Sequence, residues 1–427
     1  MIGMIKVKRG SMQIYVVAFT VILSIIVKAL STTAVLLVDM LYVFFVLFLQ
    51  TINENSISMV KYIHRFRFLI LSLLITLIMT ILFTMMRENA IDSLWGVRIL
   101  LYCFFYHSLG YCFGIKNKVD NVDKLLRIFT NILLVTAIYG WIEYFTKTNI
   151  FEDYFYINYS KNKYLFQSVS FFVHPIPFAC NMTMGFWLNN YVNRNRSLLK
   201  YVFAITFIGA IIFSQARSSW LALIITGALY FLADVFNKGG LRKIIKILVI
   251  LSFALVVFMY LLESNETISI IYEGIILRLN SIQGSNSETQ RLGAIIFIFE
   301  KVTEAAPWNV LFGHGFGSSS EVMLSTTISI SNFSAVDNQY LTILYDCGIL
   351  VFGGLIITIL GFIKVINVRV WNNKRLVNVT FAILSYCITG FFFESIWWLN
   401  VTGLGFILIG LWYSEFNRTK IINIIEE

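Results

Sequence analysis

The stretch from Tyr201 to Phe236, YVFAITFIGAIIFSQARSSWLALIITGALYFLADVF, consists of two apolar runs joined by a short polar turn that carries Arg217. The first run, at 201–214, has no Asp, Glu, Lys, Arg or His, and the second, at 219–236, has one such residue, Asp234. Runs of this kind read as transmembrane helices, and a guanidinium at their junction is costly enough in that setting to be a candidate functional group by default.

The same pattern repeats along the chain. Its 427 residues are 58% hydrophobic and 13% charged, with a mean hydropathy of +0.78. Soluble domains hold about a quarter charged residues, so this composition predicts an all-α polytopic membrane protein. A window of about 20 mostly apolar residues gives about twelve spans. They fall near 12–30, 33–50, 68–86, 95–113, 126–146, 168–192, 201–214, 219–236, 244–262, 339–363, 377–394 and 399–416. Lys6, Lys8 and Arg9 precede the first span, and no small-residue cleavage site follows it, so it reads as a signal-anchor.

Basic residues set the expected orientation. With the N-terminus inside, the clusters Lys6/Lys8/Arg9, Lys61/Arg65/Arg67, Lys116 to Arg127, Arg194/Arg196/Lys200, Lys238 to Lys246, Lys364 to Arg375 and Arg418/Lys420 all fall on the cytoplasmic side. Both termini are then cytoplasmic. These clusters account for the net charge of +10 without a nucleic-acid partner. The five cysteines have no CxxC pair or metal-ligand spacing and read as small buried hydrophobes.

Three regions are predicted: spans one to nine at 1–262, a long extracytoplasmic loop at 263–338, and spans ten to twelve with a cytoplasmic tail at 339–427. The loop is far longer than a helix connection requires, which marks it as functional. Apolar spacing predicts a helix over 268–282. Ser287-Glu-Thr-Gln290 reads as a capping box opening a second helix to about Glu304, ended by Pro307. Gly313-His-Gly-Phe-Gly317 reads as a flexible turn. Pro175 and Pro177 fall inside the sixth span and are expected to interrupt its hydrogen-bond ladder, leaving a wall for a wet cavity or a packed kink with His174 bonded to a carbonyl.

No GxxxxGK[ST], HExxH, GxSxG or DxD sequence is present. The chemistry is therefore expected from scattered groups at the outer face: Arg217, Arg291, Asp337-Asn338-Gln-Tyr340, and Glu394 in Phe391-Phe-Phe-Glu394. Taken singly, each has an ordinary alternative. Arg217 is compatible with a snorkelling anchor, Arg291 with a solvated helix charge, Asp337 with an N-cap, and Glu394 with an interfacial acid.

Taken together and in order, Ser214-Gln-Ala-Arg217-Ser-Ser-Trp220, Arg291 at a helix start, Leu311-Phe-Gly313-His314-Gly315-Phe-Gly317, and Asp337-Asn338-Gln-Tyr340-Leu followed by Tyr345-Asp346-Cys-Gly348 resemble the O-antigen ligase and Wzy-type polymerase superfamily of bacterial envelope polysaccharide assembly. Ile138-Tyr-Gly-Trp-Ile-Glu143-Tyr with Thr148-Asn-Ile-Phe151, and His174-Pro175, are also similar to the polymerases of that group. The resemblance implies a GT-C-like glycosyltransferase of the bacterial plasma membrane. Its members move a glycan from undecaprenyl diphosphate to an acceptor hydroxyl at the extracytoplasmic face, with inversion and without a metal or other cofactor.

Under the resemblance, Arg217 and Arg291 hold the leaving diphosphate, Asp337 takes the acceptor proton, and Asn338, Tyr340, His174, His314 and Glu394 are substrate-binding candidates. Trp308, Phe316 and Tyr340 are candidates for stacking on sugar rings. Ligases of the group typically place a histidine before the asparagine where this chain has Asp337, so the implied activity is a capsule, exopolysaccharide or O-antigen repeat-unit polymerase. Expected partners are lipid-linked oligosaccharides and membrane lipid, with a chain-length regulator and a flippase alongside. The alternatives are a ligase that uses a different acceptor and a flippase or transporter. Against transport, the connection after span six is short and the long loop follows span nine.

Overall fold

A computed structural model describes residues 9–27, 62–67, 90–152, 166–238, 264–280, 286–363 and 371–426, with isolated positions between 70 and 82 and at 260 and 262. Among them there is no strand. The helices are α1 (Arg9–Val27), α2 (Ala90–Lys116), α3 (Val119–Thr146), α4 (Pro175–Val192), α5 (Ser197–Phe213) and α6 (Arg217–Lys238). They continue with α7 (Glu266–Asn280), α8 (Asn286–Thr303), α9 (Pro307–Phe312), α10 (Ser318–Leu324), α11 (Gln339–Ile363), α12 (Lys374–Thr389) and, after a 3₁₀ turn at Ser395–Trp397, α13 (Leu399–Glu426). Four helices, α3, α6, α11 and α13, are long and apolar enough to cross a membrane, and α1 and α5 contain shorter apolar helices. The expected span at 33–50, and most of those at 68–86 and 244–262, lie outside the described residues.

Helix α4 is buried on nearly every side, including Asn181, Thr183 and Asn189. A helix buried all round belongs at the centre of a bundle, and α3, α5, α6, α12 and α13 pack against it. Polar contacts join these neighbours, as expected where apolar surroundings give little drive for helix association. The Trp187 indole donates to Thr226 Oγ1, Asn190 Nδ2 to Asn378 Oδ1, and Asn181 Nδ2 to the Asn400 carbonyl. The longest helix contact joins α2 and α13. There Gly110 faces the Ile407 carbonyl so closely that a Cβ would collide with it.

At one end of the bundle, Arg375 donates to Asp123 at 3.0 Å and to Glu415 at 2.5 Å, and Tyr191 donates to Asp123 at 2.7 Å. This buried network ties the start of α3, the end of α4, the start of α12 and the latter half of α13. The opposite ends of α3 and α12, and the start of α13, meet at the segment 166–174 and the turn 390–398.

Several expectations require correction. The sixth span, expected at 168–192, begins as a helix only at Pro175. The two prolines stand in the first turn, where the backbone N–H groups have no intrahelical acceptor, so they start the helix instead of interrupting its ladder. Residues 166–174 are irregular because α3 satisfies them. Glu143 Oε2 accepts from Val169 N and Ser170 N, Ser168 Oγ donates to the Gly140 carbonyl, and Ser170 Oγ donates to the Thr136 carbonyl. Buried backbone can stay irregular when protein supplies its hydrogen-bond partners. The eleventh span, expected to reach residue 394, ends at Thr389.

In the loop, helices form at Glu266–Asn280 and Asn286–Thr303, close to the predicted 268–282 and 287–304. Gln290 Oε1 accepts from Ser329 N and Ile330 N and anchors the distal loop. Pro307 opens α9 instead of closing α8, which ends at Thr303. The 313–317 turn is firmly held. Asp346 receives Gly317 N, Ser318 Oγ and Ser319 N, and the Asp346 carbonyl receives Gly315 N. Gly313, at φ +82°, packs its Cα against the Asp346 carbonyl, where a side chain would not fit.

Candidate functional site

The polar turn of the quoted stretch is built by its own side chains. Helix α5 ends at Phe213, and Ser214 Oγ accepts from Ala216 N. Gln215 takes a left-handed conformation at φ +53°, and α6 restarts at Arg217. The Trp220 indole reaches back to the Ile211 carbonyl and fixes the angle between the helices. The turn therefore presents Arg217 at the first position of α6.

Two elements of the long loop come to it. From α7, Arg278 donates through Nε to the Gln215 carbonyl at 3.3 Å, and the Arg278 carbonyl receives Nη1 of Arg217 at 3.3 Å. From α8, Arg291 Nε donates to Asp337 Oδ2 at 3.0 Å. Asp337 is itself left-handed, at φ +56°, a conformation that aspartate tolerates better than most residues.

That conformation is held from below. The Val336 N–H and the Thr342 hydroxyl both donate to Oε1 of buried Glu394, at 3.0 and 2.7 Å. Asn338 Oδ1 caps α11 by accepting from Tyr340 N and Leu341 N. Gln339 is stitched to the 390–396 turn, through its N–H to the Gly390 carbonyl and from Ile396 N to its Oε1.

These elements enclose a cavity of about 660 Å³ lined by Arg217, Ser218, Arg278, Arg291, Asp337 and His174, together with the apolar side chains of Ile176, Trp220, Leu221, Ile224, Leu292, Ile295 and Phe391. His174 caps α4 by accepting from Ile176 N, and its ring lies against Phe393 and Trp398. On one side the cavity wall runs onto the outward faces of α6 and α8, where Ile224 is 66% and Leu292 55% exposed. The lining thus has a charged end and an apolar flank that faces the surroundings of the bundle.

Three guanidinium groups meet one carboxylate among the described lining residues, an excess of positive charge suited to an anion. Burial raises the Asp337 carboxyl above the ordinary aspartate range, and the adjacent Arg291 opposes that rise. Burial also pushes Glu394 up to about 7, with its hydrogen bonds acting the other way and the Asp337 charge adding to the rise. Arg278 is lowered, first by burial and then by the charges of Arg217 and Arg291.

No family model and no curated protein matches this chain. The reading of the cavity therefore rests on its residues. The structure brings Arg217, Arg291, Asp337 and His174 to one cavity from four separate parts of the chain. The other sequence candidates stand outside that lining. Glu394 and Asn338 lie beneath it and hold Asp337 in place. The Tyr340 hydroxyl donates to the Cys387 carbonyl at 2.7 Å, and its ring packs on Phe391. His314 stacks on Tyr345, with ring centroids 4.2 Å apart, and its Nδ1 lies 3.2 Å from the Tyr345 carbonyl. Phe316 is buried against Trp397, whereas Trp308 is exposed. Among the described residues no group of three His, Cys, Asp or Glu side chains is placed to hold a metal ion. Arg278 and Ser218 were not singled out from sequence. Arg278 closes an otherwise amphipathic helix, where a basic residue ordinarily complements the helix dipole.

The support of Asp337 by Glu394 gives a test. Glu394→Gln keeps an acceptor for Val336 N and Thr342 and is expected to leave the unfolding midpoint nearly unchanged. Glu394→Ala orphans both donors and is expected to destabilise by about 1–3 kcal/mol. Thermal unfolding of the purified variants measures the difference.

Proposed function

We propose that the chain is a polysaccharide repeat-unit polymerase, a glycosyltransferase that moves a glycan from a polyprenyl diphosphate donor to the nonreducing end of a second lipid-linked repeat unit. The observation that carries the reading is the Arg291–Asp337 pair standing with Arg217 on one cavity that has a cationic end and an apolar flank. The polyprenyl chain lies along Ile224, Leu292 and their neighbours, and the diphosphate lies at the arginines. The finer architecture belongs to the same proposal: about twelve spans, a GT-C-like arrangement, both termini cytoplasmic, and the cavity at the outer face of a bacterial plasma membrane.

The reaction is a single displacement. Asp337 accepts the proton of the acceptor hydroxyl, whose oxygen attacks the anomeric carbon of the donor. The bond from that carbon to the diphosphate oxygen breaks, and its electron pair leaves with the diphosphate. The new bond forms on the opposite face, so configuration inverts. Planar guanidinium forks suit phosphate oxygens, and in a partly dry cavity they stabilise the growing negative charge strongly. A carboxylate whose proton affinity is raised by burial is a better base than a solvated one.

Acceptor identity separates this reading from a ligase. The experiment is expression in a host that makes the lipid-linked repeat unit but lacks its own polymerase. Restored long-chain glycan supports the proposal, and accumulation of single repeats contradicts it.

A further inference from the structure

We propose that His174 is the specificity-determining residue for the sugar attached to the diphosphate, donating from Nε2 to the carbonyl of a 2-acetamido group. The inference rests on the reading of the cavity as a site for a polyprenyl-diphosphate-linked glycan.

The backbone that delivers His174 is strained. Ser170 and Val173 take left-handed φ values of +53° and +67°, and for a β-branched residue such as valine that is a genuine outlier. Such conformations persist where the surroundings over-determine them, and they gather at functional sites. Here Glu143 receives Ser170 N, and the Phe172 carbonyl receives Asn400 Nδ2. These two clamps fix the chain ahead of Pro175 and set His174 on the cavity wall.

The ring is fixed in tautomer as well as in place. Nδ1 accepts from Ile176 N at 3.3 Å. An accepting nitrogen carries no proton, so the neutral ring holds its proton on Nε2. Phe393 and Trp398, with ring centroids 5.5 and 5.1 Å away, hold the plane of the ring. Nε2 has no hydrogen-bond partner among the described residues. His174 therefore offers the cavity an uncharged donor. Its neighbours in the lining are uncharged too: Phe391 and Phe392 come from the adjoining turn, and Val336, bonded through its N–H to Glu394, joins them. Asp337 follows Val336, so a sugar against this wall lies beside the base, with the phosphates at the arginines. A neutral N–H among aromatic rings suits a neutral acceptor that also carries apolar surface. An acetamido group has both, a carbonyl oxygen and a methyl, and at position 2 of the sugar it adjoins the carbon that reacts.

The two nitrogens of His174 can be tested apart. The full chain in lipid nanodiscs is titrated calorimetrically with farnesyl diphosphate bearing N-acetylglucosamine, with the same lipid bearing glucose, and with bare farnesyl diphosphate. Wild type is expected to favour N-acetylglucosamine over glucose by about tenfold, the worth of one good hydrogen bond. His174→Asn keeps an oxygen to cap α4 but presents nothing at the Nε2 position. It is expected to lose the preference while binding bare farnesyl diphosphate within about twofold of wild type. His174→Gln is long enough to present an N–H near the Nε2 position but is a poor cap. It is expected to keep most of the preference and to unfold at a lower temperature. A purely structural role for His174 predicts the reverse order, with the capping variant intact and the other impaired. Thermal unfolding reports whether each variant is folded, and His174→Ser, another capping side chain, stands in if the asparagine variant is not. Equal affinity of the wild type for the two sugars, or a preference that survives in His174→Asn, overturns the role of His174 and leaves the cavity reading standing. A wild-type protein that binds none of the three ligands overturns the cavity reading and this inference with it.

Discussion

Replacing Arg217 or Arg291 with alanine is expected to lower the rate of glycan transfer by about 10²–10³ each, the usual cost of removing one donor to developing negative charge in a preorganised site. The two losses should differ in character. Arg217 stands in the lining with its guanidinium set by a main-chain carbonyl, so Arg217→Ala should weaken donor binding and slow the chemistry together. Arg291 is bonded to Asp337, so Arg291→Ala also changes the base: without the adjacent cation, the carboxyl proton affinity rises further. The acidic limb of the rate profile should therefore move to higher pH in Arg291→Ala and stay put in Arg217→Ala. Steady-state kinetics across pH on reconstituted protein measure both effects. Near-wild-type rates in either variant would remove that arginine from the reaction.

The second large effect is expected at Asp337. Asp337→Asn preserves size and leaves an acceptor for Arg291 but cannot take a proton, and a general base contributes about 10²–10⁴ to a rate. The pH dependence has a definite sign. A carboxyl raised by burial protonates at higher pH than a solvated aspartate, whose ordinary value is about 3.9, so activity should be full above the raised value and lost as pH falls through it. Burial pushes Glu394 up to about 7, and its carboxylate touches the same turn. The profile should therefore also be recorded in Glu394→Gln, where a limb that persists belongs to Asp337 and one that vanishes belongs to Glu394.

Why some of this was legible in the sequence, and some not, follows from the kind of signal each residue gives. Arg217 was conspicuous because a guanidinium between two apolar runs has few inexpensive explanations. Arg291 and Asp337 were suggested by an ordered pattern, but their contact spans 46 residues and depends on how α8 folds back over the start of α11, which local spacing does not encode. Arg278 gave no signal, since an arginine in the last turn of an amphipathic helix satisfies local electrostatics by itself. Residues 168–174 of the irregular segment read as span because Val169, Phe171, Phe172 and Val173 are apolar. Its partners, Glu143 on α3 and Asn400 on α13, are distant in sequence.

Loop chemistry followed the same rule. Apolar periodicity points to a helix over 268–282, near the observed 266–280, and the capping-box pattern at 287–290 points to the start of the next. The rigidity of 313–317 was not, because it depends on Asp346 reaching in from α11 to meet three donors. Glycines alone signal freedom, and a buried carboxylate from elsewhere converts that freedom into a fixed turn.

The most direct test of the account is reconstitution of the purified chain with a defined undecaprenyl-diphosphate-linked repeat unit, followed by sizing of the glycan product. The account predicts a ladder of multiples of the repeat from the wild-type protein and single repeats only from Asp337→Asn. A ladder of equal length from Asp337→Asn, or no product longer than the input from the wild type, would contradict it.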